Sequence, residues 1–560
     1  MTEQTAASLP PADARPLPRR RAAGTGIVPA CIGLLLGLLA LGPGLGPGYL
    51  LSYDMVFVPR PPFNSLVLGT SGTLPRAVPS DAVIAALARA LPADVVQKLL
   101  LLTIFVLACA GAARLLSSER LLARLTAGVL YVWNPFVAER LILGQWAVLL
   151  GYAGLPWALG VLARPAVSLG RQTTRLAVAL LPAAVGGFAA IAISGLVVLP
   201  AAALRRGTAR SRLVLSAAAL VLLAVLSLPW LVPSLARQVH TSPAGVAAFA
   251  GRADTPFGAT GSLVMLGGAW NAQTVPAGYG GVAAVPWLCL VILALSGFLL
   301  LGRGRWPGLR AGAVTGLLLA LLGTFGAGQS LLRSMIGFWP GFAVLRDGQQ
   351  FVAPLALAEA AGLGLVVAWL LRARRPRALT EAGGVLAVGL LVVPVLFLPG
   401  LGWGAAGRLR PAQYPADWLA ARALINGDPH PGPALLLPWG AYRRFGWNHG
   451  EALLDPWPRL LSRPVIWNDG VQIGSLRIPP EDPSAIAVGR AVTSGVPLTR
   501  VLQADGYRYV IVDAVFGAAS PGGASATGRG GAIGPPFLAR LPGCRIVLSG
   551  PGLVIYRVPG

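Results

Sequence analysis

Charge is scarce in this chain. Only 12% of its 560 residues are charged, against about 25% in an ordinary soluble domain, which excludes a cytosolic globular enzyme. Lysine is almost missing: Lys98 is the single lysine among 45 basic residues, a bias that accompanies abundant Ala, Gly and Pro and reflects coding composition rather than function. Cysteine is thin as well. Cys31, Cys109 and Cys289 fall inside apolar runs and only Cys544 lies outside them, so neither a disulfide framework nor a CxxC metal site can be assembled. No repeat or long low-complexity tract stands out, although residues 517–534 form a Gly/Ala/Ser-rich loop. What is plentiful is apolar surface, with 55% hydrophobic residues and a mean hydropathy of +0.69. The formal charge is +25, yet the arginines are dispersed between long apolar runs, which is no nucleic-acid signature. The chain reads as a polytopic membrane protein whose first partner is the lipid bilayer.

A bilayer core of about 30 Å takes about 20 apolar residues in a helix. Eleven spans are read near 26–42, 97–113, 121–133, 141–163, 176–193, 194–204, 213–233, 282–301, 311–328, 352–371 and 383–401. The first follows Arg19, Arg20 and Arg21 in the manner of a signal peptide, but no small-residue cleavage site follows it, so it reads as a retained anchor. Six clusters (15–21, 114–124, 164–175, 205–212, 303–310 and 372–377) hold 21 arginines, with four acids in or beside them (Glu3, Asp13, Glu119 and Glu381), whereas the other loops before residue 402 hold nine basic residues and six acids. Such an excess marks the cytoplasmic side. The expected layout is a basic cytoplasmic tail (1–25), a membrane domain (26–401) with a long first outer loop (45–96), and an extracytoplasmic domain (402–560) in a multi-pass protein of the cell membrane. Residues 176–204 lie between two arginine-rich loops, so the chain must cross twice there or turn back. The break is read at Ile193-Ser194-Gly195, as two short helices, a re-entrant hairpin or two ordinary spans.

Beyond residue 401 the composition shifts, with nine of the twenty acids and six of the fifteen tryptophans. Residues 434–437, 507–512 and 545–556 read as strands and 415–424 as a short helix, a small α/β domain. The fold class expected is thus mainly α, a bundle of about eleven transmembrane helices with a C-terminal extracytoplasmic α/β domain.

Polar groups near the membrane gather on the outer side. Asp54 follows the first span, and residues 81–91 read as an interfacial helix. Glu139 and Arg140 stand at the mouth of the fourth span, with Gln145 one turn deeper. A later loop holds Arg237, His240, Arg252 and Asp254. Arg346, Asp347, Gln349 and Gln350 precede the tenth span, and Glu359 lies within it. A carboxylate, several arginines and membrane-embedded aromatics suit transfer of a sugar from a lipid-phosphate donor: the carboxylate deprotonates the acceptor hydroxyl and the cations meet the departing phosphate. Arginine suits the second task because it grips phosphate bidentately and stays ionised near lipid. Each residue also has a plainer role. Asp54 could cap a helix, Arg346 and Asp347 could pair with each other, as could Glu139 and Arg140, and His240 could be an ordinary loop histidine. In the C-terminal region Trp439, Trp447, Trp457 and Trp467 could stack on sugar rings or fill a core, with Trp439 and Trp447 the candidates for acceptor binding.

The long first outer loop with Asp54 and its interfacial helix, the Asn-Pro-Phe…Glu-Arg turn (134–140), the short broken helices and the Arg-Asp…Gln-Phe element (346–351) resemble the GT-C superfamily of membrane glycosyltransferases. The layout is similar to actinobacterial arabinofuranosyl- and mannosyltransferases of the cell envelope and to YfhO-like membrane proteins. The resemblance covers most of residues 26–401. It implies polyprenyl-phosphate sugar donors, an envelope glycan or lipid as acceptor, Asp54 as catalytic base, and a divalent cation in some members only. One departure stands out: no Asp-x-Asp or Asp-Asp pair follows the first span. No metal-ligand cluster has recognisable spacing, so no residue is assigned to a metal. Two other readings stay open: a non-catalytic envelope assembly protein with the same fold, and a transporter or flippase, for which inverted repeats are expected and none is visible.

Overall fold

A computed structural model describes residues 26–164, 168–236, 242–243, 245–372, 377–473, 476–513 and 539–560. The basic tail 1–25, Arg237, His240 and the loop 517–534 lie outside the described residues.

Among the described residues six helices are long and apolar enough to cross a membrane, and up to eight if each of two bent pairs is one span. Shorter apolar helices, Trp146–Leu162 and Phe188–Ala203, complete the bundle. The eleven crossings read from the sequence therefore exceed what length and composition alone support. At the centre stands Ala353–Leu370, apolar except for Glu359 and buried from Ala353 to Ala368, the pattern of a helix enclosed by others. It packs on Leu121–Val132, Ala284–Ser296 and Pro307–Leu322.

Two local readings need correction. The break in 176–204 falls at Gly187, between helices Leu169–Gly186 and Phe188–Ala203, and not at 193–195. Gly187 has φ +76°, and a Cβ there would overlap the Val78 carbonyl; at Ser194 the hydroxyl donates to the Ala190 carbonyl at 2.8 Å, so the helix runs on with its polar side chain satisfied. The span read at 311–328 is the helix Pro307–Leu322, which ends earlier and is followed by a further helix, Gly326–Phe338, turned through 94°. A helix is present at the place read as 81–91, as Ser80–Leu87.

In the C-terminal region five strands form one sheet in the order Arg545–Ser549, Leu553–Arg557, Tyr509–Asp513, Ala434–Leu437, Val465–Ile466. The last three are mutually parallel (Leu435↔Val510, Leu435↔Ile466) and the first two join antiparallel (Ile511↔Ile555). Alternate residues face opposite ways, and both faces are covered. Leu436, Ile511 and Ile555 pack with Trp418 of Ala416–Gly427 and with Tyr53, Val56 and Val58 of the loop 45–96. Leu435, Val510 and Val554 pack on Val488 of Pro483–Ser494 and Leu502 of Thr499–Ala504.

The loop 45–96 is thus bound into the C-terminal region. The Tyr53 N–H donates to Ala452 O at 2.7 Å and the Leu454 N–H to Tyr53 O at 2.9 Å. The Asn64 amide donates to Pro458 O and Leu461 O at 2.8 and 2.7 Å, and the Tyr414 hydroxyl donates to Phe57 O at 2.9 Å.

Candidate functional site

Asp54 sits in a tight turn between the bridged residues Ser52 and Met55. The turn is set by Tyr53 at φ +44° and anchored by the Asp54 N–H, which donates to Leu143 O at 3.0 Å. Gly144 (φ +80°) lies directly against it: a Cβ there would overlap the Met55 amide and the Ser52 carbonyl. So the segment 143–144, just past the candidate span Leu121–Ile142, and the loop 45–96 meet backbone to backbone, which holds the carboxyl in place.

The Asp54 side chain is half-buried and accepts a 2.5 Å hydrogen bond from the Tyr442 hydroxyl. Burial pushes its carboxyl above the ordinary range and the nearby Asp347 adds to this, while the Tyr442 bond and the Arg459 charge oppose it. A carboxylate raised in this way is a stronger base than one in water. Arg459, from the short helix Trp457–Leu460, is held by Asp81 of the helix Ser80–Leu87 at 2.7 Å. Tyr53, beside Asp54, donates to Gln273 Oε1 at 2.5 Å, and its ring lies 6.2 Å from that of Tyr442.

Two guanidinium groups complete the cluster. Arg140 belongs to Pro135–Ile142, whose first turn is capped by the Asn134 side chain accepting the Val137 N–H at 3.1 Å. Arg140 is 1% exposed, lies over the Phe136 ring at 5.0 Å, and has neither Nε nor Nη1 partnered. Its charge is felt by Asp347, where it counters the effect of burial, which raises the carboxyl. Arg346 stacks over Phe249 at 4.9 Å, reaches Glu481 at 3.8 Å and leaves Nη1 unpartnered. Burial and the neighbouring Arg76 bring its pKa down to about 10, so it remains cationic at neutral pH. Arg76 pairs with the same Glu481 at 2.5 Å. Gln349 is buried with both amide atoms unpartnered.

Glu139 and Arg140 do not pair with each other, nor do Arg346 and Asp347 form a close ion pair. Glu139 instead accepts the Ala269 N–H at 3.1 Å, next to Asp254, which accepts the adjacent Gly268 N–H. Arg252 lies beside Asp254 and lowers its carboxyl, against burial, which raises it. Glu359 is fully buried in the central helix with both oxygens unpartnered. Among the described residues no three His, Cys, Asp or Glu side chains converge as a cradle for a cation. Glu139 and Asp254 are two carboxyls already held by backbone amides, short of the oxygen shell a divalent ion takes.

The structure therefore places Asp54, Arg140 and Arg346 each in the electrostatic reach of Asp347, with Glu139 beside Arg140, Gln349 beside Asp347 and Arg252 beside Asp254. Trp439 and Trp447 are placed elsewhere. Trp439 packs on Gly489 of Pro483–Ser494, and Trp447 stacks with Phe445 at 5.2 Å and Tyr414 at 5.0 Å in the aromatic interior. Tyr442, Arg459 and Glu481 were not singled out from the sequence. They come from the C-terminal region, hundreds of residues from Asp54, and no local pattern marks them.

This architecture, a multi-pass helical bundle whose loop 45–96 is docked on a small sheet, is shared with solved structures of membrane proteins. Among solved structures the chain is similar to the cryo-EM structure of arabinofuranosyltransferase AftD from Mycobacteria, with a TM-score of 0.56 and 18% identity over 96% of this chain and 40% of that one. It is also similar to a mutant of the same protein, with a TM-score of 0.58 and 18% identity over 96% and 41%. The chain spans about two fifths of the length of those structures. No protein-family model and no curated protein matches it.

Proposed function

We propose that the protein is a membrane glycosyltransferase that moves a sugar from a polyprenyl-phosphate donor to an envelope glycan or lipid on the extracytoplasmic side. The observation that carries this reading is the buried Arg140 guanidinium, two of whose N–H-bearing nitrogens lack partners, which shares Asp347 as a charged neighbour with the half-buried Asp54 carboxyl. Buried cationic donors left open beside a base are arranged for an anion that arrives with the substrate.

In this mechanism Asp54 accepts the proton of the acceptor hydroxyl, and the oxygen so freed bonds to the anomeric carbon. The bond from that carbon to the phosphate oxygen breaks, and the electron pair leaves with the phosphate. Arg140 and Arg346 meet the charge that grows there, and the nearby Asp347 charge favours their ionised forms. Tyr442 and Arg459 orient Asp54 and keep its charged form accessible. The arginine bias of the loops supports placing this cluster outside and the N-terminus inside.

The test is Asp54→Asn in purified membranes supplied with a polyprenyl-phosphate sugar. Loss of general-base catalysis lowers transfer by about 10²–10⁴-fold. Transfer at the wild-type rate would remove Asp54 from that role.

A further inference from the structure

A second polar cluster lies at the other end of the bundle. Helix Trp146–Leu162 starts beside Gln145, near Asp54, and ends beside Arg164. At 1.5 Å per residue its 17 residues separate the two ends by about 25 Å. There, where it meets the end of Ala93–Leu115 and the start of Leu169–Gly186, is a cavity of about 610 Å³.

Its rim carries Arg114, Arg164, Arg171 and Arg175, and among the described residues no acidic one lines it. None of the four is ion-paired among the described residues. By contrast Arg305, in another of the arginine clusters, is neutralised by Glu119 at 2.9 Å. Burial and the like charges of Arg114 and Arg175 push the Arg164 guanidinium below its ordinary pKa. A fifth donor points the same way. Gln172 lines the cavity, is 6% exposed, accepts from Arg205 at 2.9 Å through Oε1, and leaves Nε2 without a partner.

The inner wall is different in kind. Leu107, Pro156, Trp157, Val178 and Pro182 make it apolar, and Val178 is 61% exposed on the outer surface of the bundle. The cavity therefore joins a cationic mouth to an apolar groove that opens sideways, where acyl chains lie. A free anion would use only the mouth. A zwitterionic headgroup would bring an ammonium to a rim with no carboxylate to receive it.

We propose that this cavity binds an anionic glycerophospholipid, with its phosphate held by Arg114, Arg164, Arg171, Arg175 and the Gln172 amide and an acyl chain laid against Trp157 and Val178. Basic pockets between transmembrane helices on the cytoplasmic side are suited to acidic headgroups, and guanidinium forks to phosphate oxygens. The proposal is independent of the chemistry at Asp54.

The test uses the full chain purified in detergent and titrated with phosphatidylglycerol, phosphatidylcholine or inorganic phosphate, read by native mass spectrometry and thermal unfolding. Phosphatidylglycerol is expected to give retained adducts and a raised midpoint, and the other two neither. Replacing all four arginines by Gln should weaken phosphatidylglycerol binding at least tenfold, whereas replacing them by Lys, or changing only Arg210 and Arg212 to Gln, should preserve it. The Lys variant keeps the test decisive if the Gln variant fails to fold. Equal binding of phosphatidylcholine, or equal loss in the Arg210/Arg212 control, would overturn the proposal. A phosphate effect as large as that of the lipid would reduce the cavity to a simple anion site. Arginine-dependent capture of a soluble acidic protein without lipid would replace the lipid by a protein partner.

Discussion

The hydroxyl of Tyr442 donates a 2.5 Å hydrogen bond to Oδ1 of Asp54, joining residues 388 positions apart. The candidate base is therefore oriented by the C-terminal region as well as by the membrane bundle. That region is part of the site itself.

Removing this bond has a signed consequence. The Tyr442 hydroxyl lowers the Asp54 pKa against burial, which raises it. In Tyr442→Phe the carboxyl is protonated at higher pH, so the acidic limb of the kcat/KM profile should move upward. A hydrogen bond to a charged group contributes about 1.5–3 kcal/mol, equivalent to about one to two pH units at 1.36 kcal/mol per unit. Activity well above the limb should be nearly unchanged. A limb that stays put or moves downward contradicts the assignment of Asp54 as the titrating base.

The two open guanidinium groups make a different prediction. Arg140→Gln or Arg346→Gln removes a donor to the departing phosphate, and each should lower kcat by about 10²–10³-fold, the usual loss of one preorganised donor to developing negative charge. Arg346→Lys keeps a charge but gives up the planar contact over Phe249 and the bidentate fork, so it should rescue only part of the loss. Steady-state transfer with varied donor checks this. A change confined to acceptor KM would place both arginines elsewhere in the cycle.

Gly144 tests the seat of Asp54 from the opposite side. Its φ of +80° disfavours any other residue, and a Cβ would strike the backbone at Ser52 and Met55. Gly144→Ala should displace the Asp54 turn and abolish most transfer at a stability cost of about 1–3 kcal/mol. Gly427→Ala, where a Cβ meets nothing, is the matching control and should leave transfer intact. Thermal unfolding beside the transfer assay separates a displaced carboxyl from global unfolding.

What the sequence disclosed, and what it hid, follows from the range of the forces involved. Apolar length and alternation are local, so the helices and the strand Ala434–Leu437 were legible, and the lone Asp54, Arg140 and Arg346 stood out as polar groups near lipid. The break at Gly187 was not legible, because Ile193-Ser194-Gly195 looks like a break until Ser194 is seen to bond back to Ala190. Nothing near Tyr442, Arg459 or Glu481 in the chain marks them as partners of the loop 45–96. Their roles arise from docking, as in the Arg459–Asp81 pair across 378 positions. The same holds for Trp447, whose ring chemistry fits a sugar but whose neighbours are Phe445, Tyr414 and Trp418.

The integrity of that docked region rests on a buried ion triad. Arg443, 2% exposed, lies 2.8 Å from Asp455 and 2.8 Å from Asp513, and it also donates to Leu437 O and Pro438 O. The Trp457 indole donates to Asp513 from the other side at 3.0 Å. Arg443→Met would leave two carboxyls buried without their cation, and breaking a buried pair from one side costs about 3–5 kcal/mol. The burden should fall first on the hairpin Tyr442–Arg444 with Ala452–Leu454, which carries Tyr442. Proteolysis and hydrogen exchange of the full chain should therefore show early opening of residues 442–454, with transfer lost in step. Adding Asp455→Asn and Asp513→Asn to Arg443→Met removes the orphaned charges and should restore part of the stability. No recovery in that triple variant would mean the triad acts through shape rather than charge.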